Sequence, residues 1–338
     1  MSADPAAPPA SDPTPALRTP IQPARRYANQ GVAAALLSAA LLGLTPIFGK
    51  QALRAGMDPF ALVALRTVLA AGILWLVFSV FARRYVFIYP AGLIACAIAG
   101  IINGLGSLMF YIGLARLDAS VAQLLFSINP LILVLLLRLD GQPISRLTAF
   151  RLVLALPAIY LLTSAGEHAG QLPGAALLFG SAFMYALHLA VTQRALRDMP
   201  SQTLTLYTVT AMALTVLPSA LWIRTPLSQT APVAWWGVAG LTLMTVLSRL
   251  SLFVGVKRLG GQQAALLGLS ELVVSVAAAI LLFGERLTLL QSVGALLLTI
   301  SVMLVAWEKE LSVHHISEGW LAWVYGLFEK VTWPGNGG

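Results

Sequence analysis

Glu271 stands alone as a carboxylate in an apolar run, with Ser275 one helical turn beyond it. A charged side chain among hydrocarbon costs roughly 3 kcal/mol on insertion scales, so it turns toward a bundle interior or a wet cavity. There it can contact an amine-bearing molecule, exchange a proton, or serve as a packing group tied to another helix. Arg249, on a stretch shared with Thr245 and Phe253, is its natural partner. Direct pairing would lock two helices together. If both instead face a cavity, Arg249 suits a carboxylate and Glu271 an ammonium, the two ends of a zwitterion.

Other polar residues repeat at helical spacing. Asn103, Ser107 and Tyr111 recur every four residues and so share one helix face. Gln123, Ser127 and Asn129 decorate the next apolar run, where Pro130 frees a carbonyl one turn earlier. Tyr185 and His188 lie three apart; His188 reads as a hydrogen-bonded core residue or a proton relay. Arg66 is expected to cap backbone carbonyls of a short or broken neighbouring helix. Glu285 is expected to satisfy the first amides of the helix that follows it. Each face has a structural reading, interhelical hydrogen bonding, beside the cavity-wall reading.

Enzyme and cofactor motifs are absent: the chain has no H-E-x-x-H, no G-x-S-x-G, no paired-Asp motif and no P-loop. The single cysteine, Cys96, lies in an apolar run and supports neither an internal disulfide nor a metal cluster. No catalytic residue, metal site or cofactor is expected.

The elements that must hold these residues are membrane helices. The chain is 58% hydrophobic and 10% charged, with mean hydropathy +0.84, whereas soluble domains carry about 25% charged residues. A spanning helix needs about 20 mostly apolar residues. Ten candidates follow, near 31–48, 60–81, 90–115, 119–137, 147–164, 172–191, 204–223, 233–256, 264–283 and 287–307. The net charge of +8 is spread singly or in pairs at span ends, which signals topology rather than nucleic-acid binding. Arg83, Arg84, Arg138, Arg146, Arg151, Arg194, Arg197, Lys257 and Arg258 gather on one side, with fewer basic residues opposite. The positive-inside rule then places both termini in the cytoplasm, in a multi-pass protein of the cytoplasmic (inner) membrane.

The chain also repeats itself. Gly113, Arg116, Leu117 and Ala122 map onto Gly255, Arg258, Leu259 and Ala264 at an offset of 142 (255 − 113). Gly31, Ser38, Ala52 and Arg54 map onto Gly174, Ser181, Ala195 and Arg197 at 143 (174 − 31). Two halves, 31–165 and 172–307, therefore carry five spans each. An odd number of spans inserts the second half upside down, giving an inverted repeat with a site between the halves. Residues 1–30 are Pro- and Ala-rich and read as a disordered cytoplasmic tail. Residues 308–338 carry Trp320, Trp323, Leu327 and Phe328 on one face, expected as an amphipathic helix in the membrane interface.

Several of these segments carry a family resemblance: Pro46, Leu65-Arg66-Thr67, the Gly113–Leu117 hairpin, Ile128-Asn129-Pro130, Ser270-Glu271-Leu272-Val273 and Phe283-Gly284-Glu285-Arg286-Leu287-Thr288. Together they resemble the EamA-type half of the drug/metabolite transporter superfamily. Glu271-Leu272 stands where members often have Glu-Pro, and Gly141-Gln142 where Gly-Glu is usual. The resemblance implies a ten-helix secondary carrier whose halves surround a central cavity and move small metabolites, amino acids or related compounds among them, with efflux the expected direction. Expected partners are a small-molecule substrate, the lipid bilayer and, as an open alternative, protons, with no nucleic acid, in a monomer or homodimer. Glu271, Arg249, Asn129, Gln123, Asn103, Ser107, Tyr111, Tyr185 and His188 are the expected cavity residues. A non-transporting assembly or scaffold protein is the alternative, to which the aromatic tail lends support.

Overall fold

The structure is a computed structural model that describes residues 23–139, 146–164, 171–223, 230–259, 267 and 270–304. The expected interfacial helix at 308–338 and the start of the N-terminal tail lie outside the described residues.

Every regular element among the described residues is helical. The first half holds α1 (Pro23–Arg54), α2 (Pro59–Phe81), α3 (Pro90–Arg116), α4 (Ala119–Phe126), α5 (Asn129–Leu139) and α6 (Arg146–Ser164). The second holds α7 (Gln171–Asp198), α8 (Ser201–Val216), α9 (Pro232–Leu259), α10 (Ser270–Phe283) and α11 (Leu289–Met303). Prolines at the first positions of α2 and α3 start those helices, where a missing N–H costs nothing, and the Asp58 carboxylate accepts from Phe60 N at 2.8 Å. α1 opens at Pro23, inside the segment expected to be an unstructured tail; no breaker interrupts the residues between it and the first apolar turn.

Six helical segments among the described residues are long and apolar enough to cross a membrane: 29–54, 59–81, 90–116, 172–192, 201–221 and 232–255. α10 and α11 are apolar but shorter, at 14 and 15 residues, and α6 carries Arg146 and Arg151 near its start. The expected fourth span is broken. It runs as α4, a turn at Ser127 and Ile128, then α5.

The cause of the break is legible in its hydrogen bonds. Pro130 has no N–H to give the Phe126 carbonyl, and the Asn129 side chain donates to that carbonyl instead, at 3.0 Å. Pro46 in α1 is handled the same way: the Leu42 carbonyl it orphans accepts from Thr45 Oγ1 at 2.6 Å. A proline preceded by a short polar residue keeps its backbone satisfied where no water is at hand.

Helix packing respects the repeat. α1 packs on α9 and α3 on α7, which are exchanged pairs if the halves are swapped. So are α1 with α10 and α7 with α5. α2 with α8, and α6 with α11, each map onto themselves. Close approach depends on glycine. A Cβ at Gly100 would sit 2.6 Å from the Thr208 carbonyl oxygen of α8, and one at Gly237 would sit 2.8 Å from the Phe48 carbonyl oxygen of α1. Phe81, Leu221, Trp236 and Leu281 stay largely exposed, forming the apolar outer surface a bilayer would cover.

Candidate functional site

Between the halves lies a cavity of about 90 Å³. Its wall takes Leu42 and Thr45 from α1, Arg66 from α2, and Asn103, Gly106, Ser107, Phe110 and Tyr111 from α3. Gln123 and Phe126 come from α4, Ser181 and Tyr185 from α7, Arg249 from α9 and Glu271 from α10. Both halves therefore build it, and among the described residues its one acid comes from the second.

The four-residue stripe of α3 works as spacing requires: Asn103, Ser107 and Tyr111 all line the cavity. Gly106 lies between them because α7 passes close behind; a Cβ there would meet Met184 Cβ at 2.8 Å. Phe110 and Tyr111, Phe110 and Phe126, and Phe126 and Tyr185 form a chain of ring contacts with centroids 5.1, 5.1 and 5.2 Å apart. Such tilted and edge-on contacts fix the ring planes of the wall.

Glu271 sits in the first turn of α10 and accepts from Gln123 Nε2 at 2.9 Å, a contact between the halves. The direct Arg249–Glu271 pair does not form: neither oxygen of Glu271 lies within 4.0 Å of a guanidinium among the described residues. Arg249 instead meets His188 Nε2 at 3.1 Å, while His188 Nδ1 lies 3.1 Å from the Ala99 carbonyl oxygen. A carbonyl can only accept and a guanidinium can only donate, so Nδ1 carries the proton and Nε2 the lone pair. His188 is fully buried and stands behind Arg249, outside the wall.

Asn129 also stands outside the wall. Its side chain is committed to the Phe126 carbonyl at the helix break, so it shapes the end of α4 rather than the cavity surface. Arg66 departs in the opposite sense. Among the described residues it caps no backbone; its guanidinium donates to Thr245 Oγ1 at 3.3 Å and to Ser107 Oγ, and stacks over the Tyr111 ring at 4.8 Å. The spacing signal was present, since Arg66 lies deep in an apolar span as Arg249 does. Thr45, Ser181 and Phe126 gave no separate signal, because small polar and aromatic residues are ordinary in such helices.

Glu285 corrects a further expectation. Its carboxylate does not serve α11; it accepts from Ala119 N (2.9 Å), Ser120 N (2.9 Å) and Ser120 Oγ (2.7 Å), closing the N-terminus of α4 in the other half. α11 is capped locally, with Thr288 N donating to Gln291 Oε1 and Gln291 N to Thr288 Oγ1. Nearby, Lys50 Nζ donates to the Leu114 and Leu117 carbonyls at 2.8 and 2.6 Å, closing the C-terminus of α3.

Comparison with known proteins agrees with this architecture. The model of the EamA-like transporter family matches twice, over residues 29–164 and 172–307. A Bacillus subtilis (strain 168) protein described as "Uncharacterized transporter YcbK" is 25% identical over 282 residues, covering 80% of this chain and 90% of its own. A solved crystal structure superposes with a TM-score of 0.59, over 82% of this chain and 97% of its own, at 14% identity; that likeness shows the fold alone.

Proposed function

We propose that this chain, which belongs to the EamA-like transporter family, is a secondary transporter that exports carboxylate-bearing small metabolites, amino acids or related compounds, by alternating access. Membership makes it a multi-pass membrane transporter in general. The finer reading rests on one observation: Arg249 and Glu271 line the same cavity without pairing, each held by a neutral partner from elsewhere in the bundle.

That arrangement supports binding chemistry. A guanidinium already neutralised by a carboxylate would have little to offer a ligand, whereas one oriented by an imidazole keeps further N–H groups free for charge-assisted bonds. Glu271 is positioned for an ammonium or a hydroxyl. The wall draws on both halves, so rocking them about the cavity would open it to one side at a time. The exchange pattern of helix pairs supports two inverted five-helix units, and the excess of basic residues on one side supports an orientation with both termini in the cytoplasm of an inner-membrane protein. Proton coupling would run through Glu271.

Counterflow in proteoliposomes loaded with a panel of labelled amino acids and related acids tests this. Saturable exchange lost in Glu271→Ala is expected. Unchanged flux in that variant would remove Glu271 from the site, and a Glu271→Gln protein that still responds to a pH gradient would remove proton coupling through it.

A further inference from the structure

We propose that the cavity takes a ligand of net negative charge, a metabolite whose anionic groups outnumber its ammonium groups; this rests on the transporter reading above. Among the described residues its wall holds two guanidiniums, Arg66 and Arg249, and one carboxyl, Glu271. The balance is 2 − 1 = +1 with Glu271 ionised and +2 with it protonated.

Among the described residues no further carboxylate offsets that surplus. Arg66 is only 7% exposed, its donated hydrogen bonds go to two neutral hydroxyls, and its Nε has no partner. Arg249 rests on a histidine whose Nδ1–H is spent on a carbonyl, hence a neutral ring. Neither guanidinium has a carboxylate within 4.0 Å among the described residues. Asp58, Asp118 and Glu285 stand at helix ends: Asp58 accepts from Phe60 N, Asp118 precedes α4, and Glu285 serves α4 and Arg54. A guanidinium cannot shed its proton, and a cation out of water needs a counter-charge.

Geometry directs both cations at one place. Arg66 is hydrogen-bonded to Thr245, which lies four residues, about one helical turn, before Arg249 on α9. The Tyr111 ring covers one face of the Arg66 guanidinium, and Thr245 and Ser107 take donors from its rim, so its charge is held by neutral groups alone. A structural ion pair would have placed an acid there; the molecule places hydroxyls, an imidazole and aromatic rings. A zwitterion would fill the Arg249 and Glu271 positions and leave one positive charge uncompensated. A net anion completes the set.

Two matched pairs of probes test the rule by calorimetry on the detergent-purified full chain. L-glutamate against L-glutamine adds one negative charge at nearly constant shape. 3-Phenylpropionate against L-phenylalanine removes the ammonium. The expected result is at least tenfold tighter binding of the anion in one pair or both, erased by Arg249→Gln and kept by Arg249→Lys. Equal or tighter binding of the net-neutral member in both pairs, or no binding of any of the four, overturns the proposal. The wild-type comparison decides this even where a variant fails to fold. Saturable flux with a net-neutral preference would leave the carrier and remove the charge rule; anion preference with no flux in proteoliposomes would do the reverse.

Discussion

Glu285 and Ser120 lie 165 residues apart, yet the Glu285 carboxylate accepts from both the backbone N–H and the hydroxyl of Ser120. One carboxylate from the second half thus closes the first turn of a helix in the first half. It joins a helix N-terminus, with its positive end, to a charge that suits it. The Lys50 ammonium does the converse at the adjoining α3 C-terminus, so the α3–α4 hairpin is held by opposite charges at its two helix ends.

Replacing Glu285 by Ala leaves the Ala119 and Ser120 amides unpaired in a buried place, with a loss of about 3 kcal/mol. Arg54→Ala removes the ion pair at 3.6 Å and the stacking over the Phe283 ring, from a side chain 44% exposed, and is expected to cost under about 2 kcal/mol. Thermal unfolding of the two purified variants, compared with the parent, checks the ranking; equal losses would contradict it.

His188→Phe removes the acceptor that orients Arg249 while keeping a ring of similar shape. A hydrogen bond to a charged group contributes about 1.5–3 kcal/mol, so transport KM is expected to rise by roughly tenfold or more, beside a stability loss of about 1 kcal/mol from the donor withdrawn from the Ala99 carbonyl. Titrating substrate against initial flux reads this directly. An unchanged KM would show that Arg249 does not depend on the imidazole.

Gly100→Ala should cost about 1–3 kcal/mol, because the new Cβ would press on the backbone of α8, which cannot rotate away. Gly72 has nothing within 4 Å of its Cβ position, so Gly72→Ala is expected to be neutral or mildly stabilising. Melting temperatures of the two variants separate close helix packing from a general intolerance of substitution.

Asn129→Ala should release the Phe126 carbonyl at the break between α4 and α5, at a cost of about 1 kcal/mol. Because the Phe126 ring is part of the cavity wall, ligand affinity should fall together with stability. Calorimetry beside thermal unfolding checks that coupling; a stability loss with unaltered affinity would separate the break from the cavity.

Much of this was legible beforehand because membrane helices leave few options. The shared α3 face of Asn103, Ser107 and Tyr111 followed from spacing alone, whereas the packing of α1 on α9 and α3 on α7 is visible only in the fold. What escaped was tertiary. The break after Phe126 was hidden because residues 119–137 are long and apolar enough to read as one span, although Ser127 and Asn129-Pro130 carried a hint, since a proline orphans the carbonyl four residues back. Of the two arrangements the sequence allows for Arg249 and Glu271, direct pairing does not form and both line the cavity, because charge attraction does not decide which neighbour reaches first and each meets a neutral partner. Glu285 was assigned to its sequence neighbour, α11, because its actual contact lies in the other half of the chain. Arg66 looked structural for want of any sequence sign that Thr245 and Ser107 would meet it.

The central claim is that a cavity shared by the two halves moves a small metabolite across the membrane. Counterflow of labelled amino acids and related acids in proteoliposomes holding the purified chain, with and without a pH gradient, tests it most directly. Saturable exchange that falls at least tenfold in both Arg249→Gln and Glu271→Ala is the predicted result. Full exchange in both variants, or no exchange of any probe by folded and inserted protein, would contradict it.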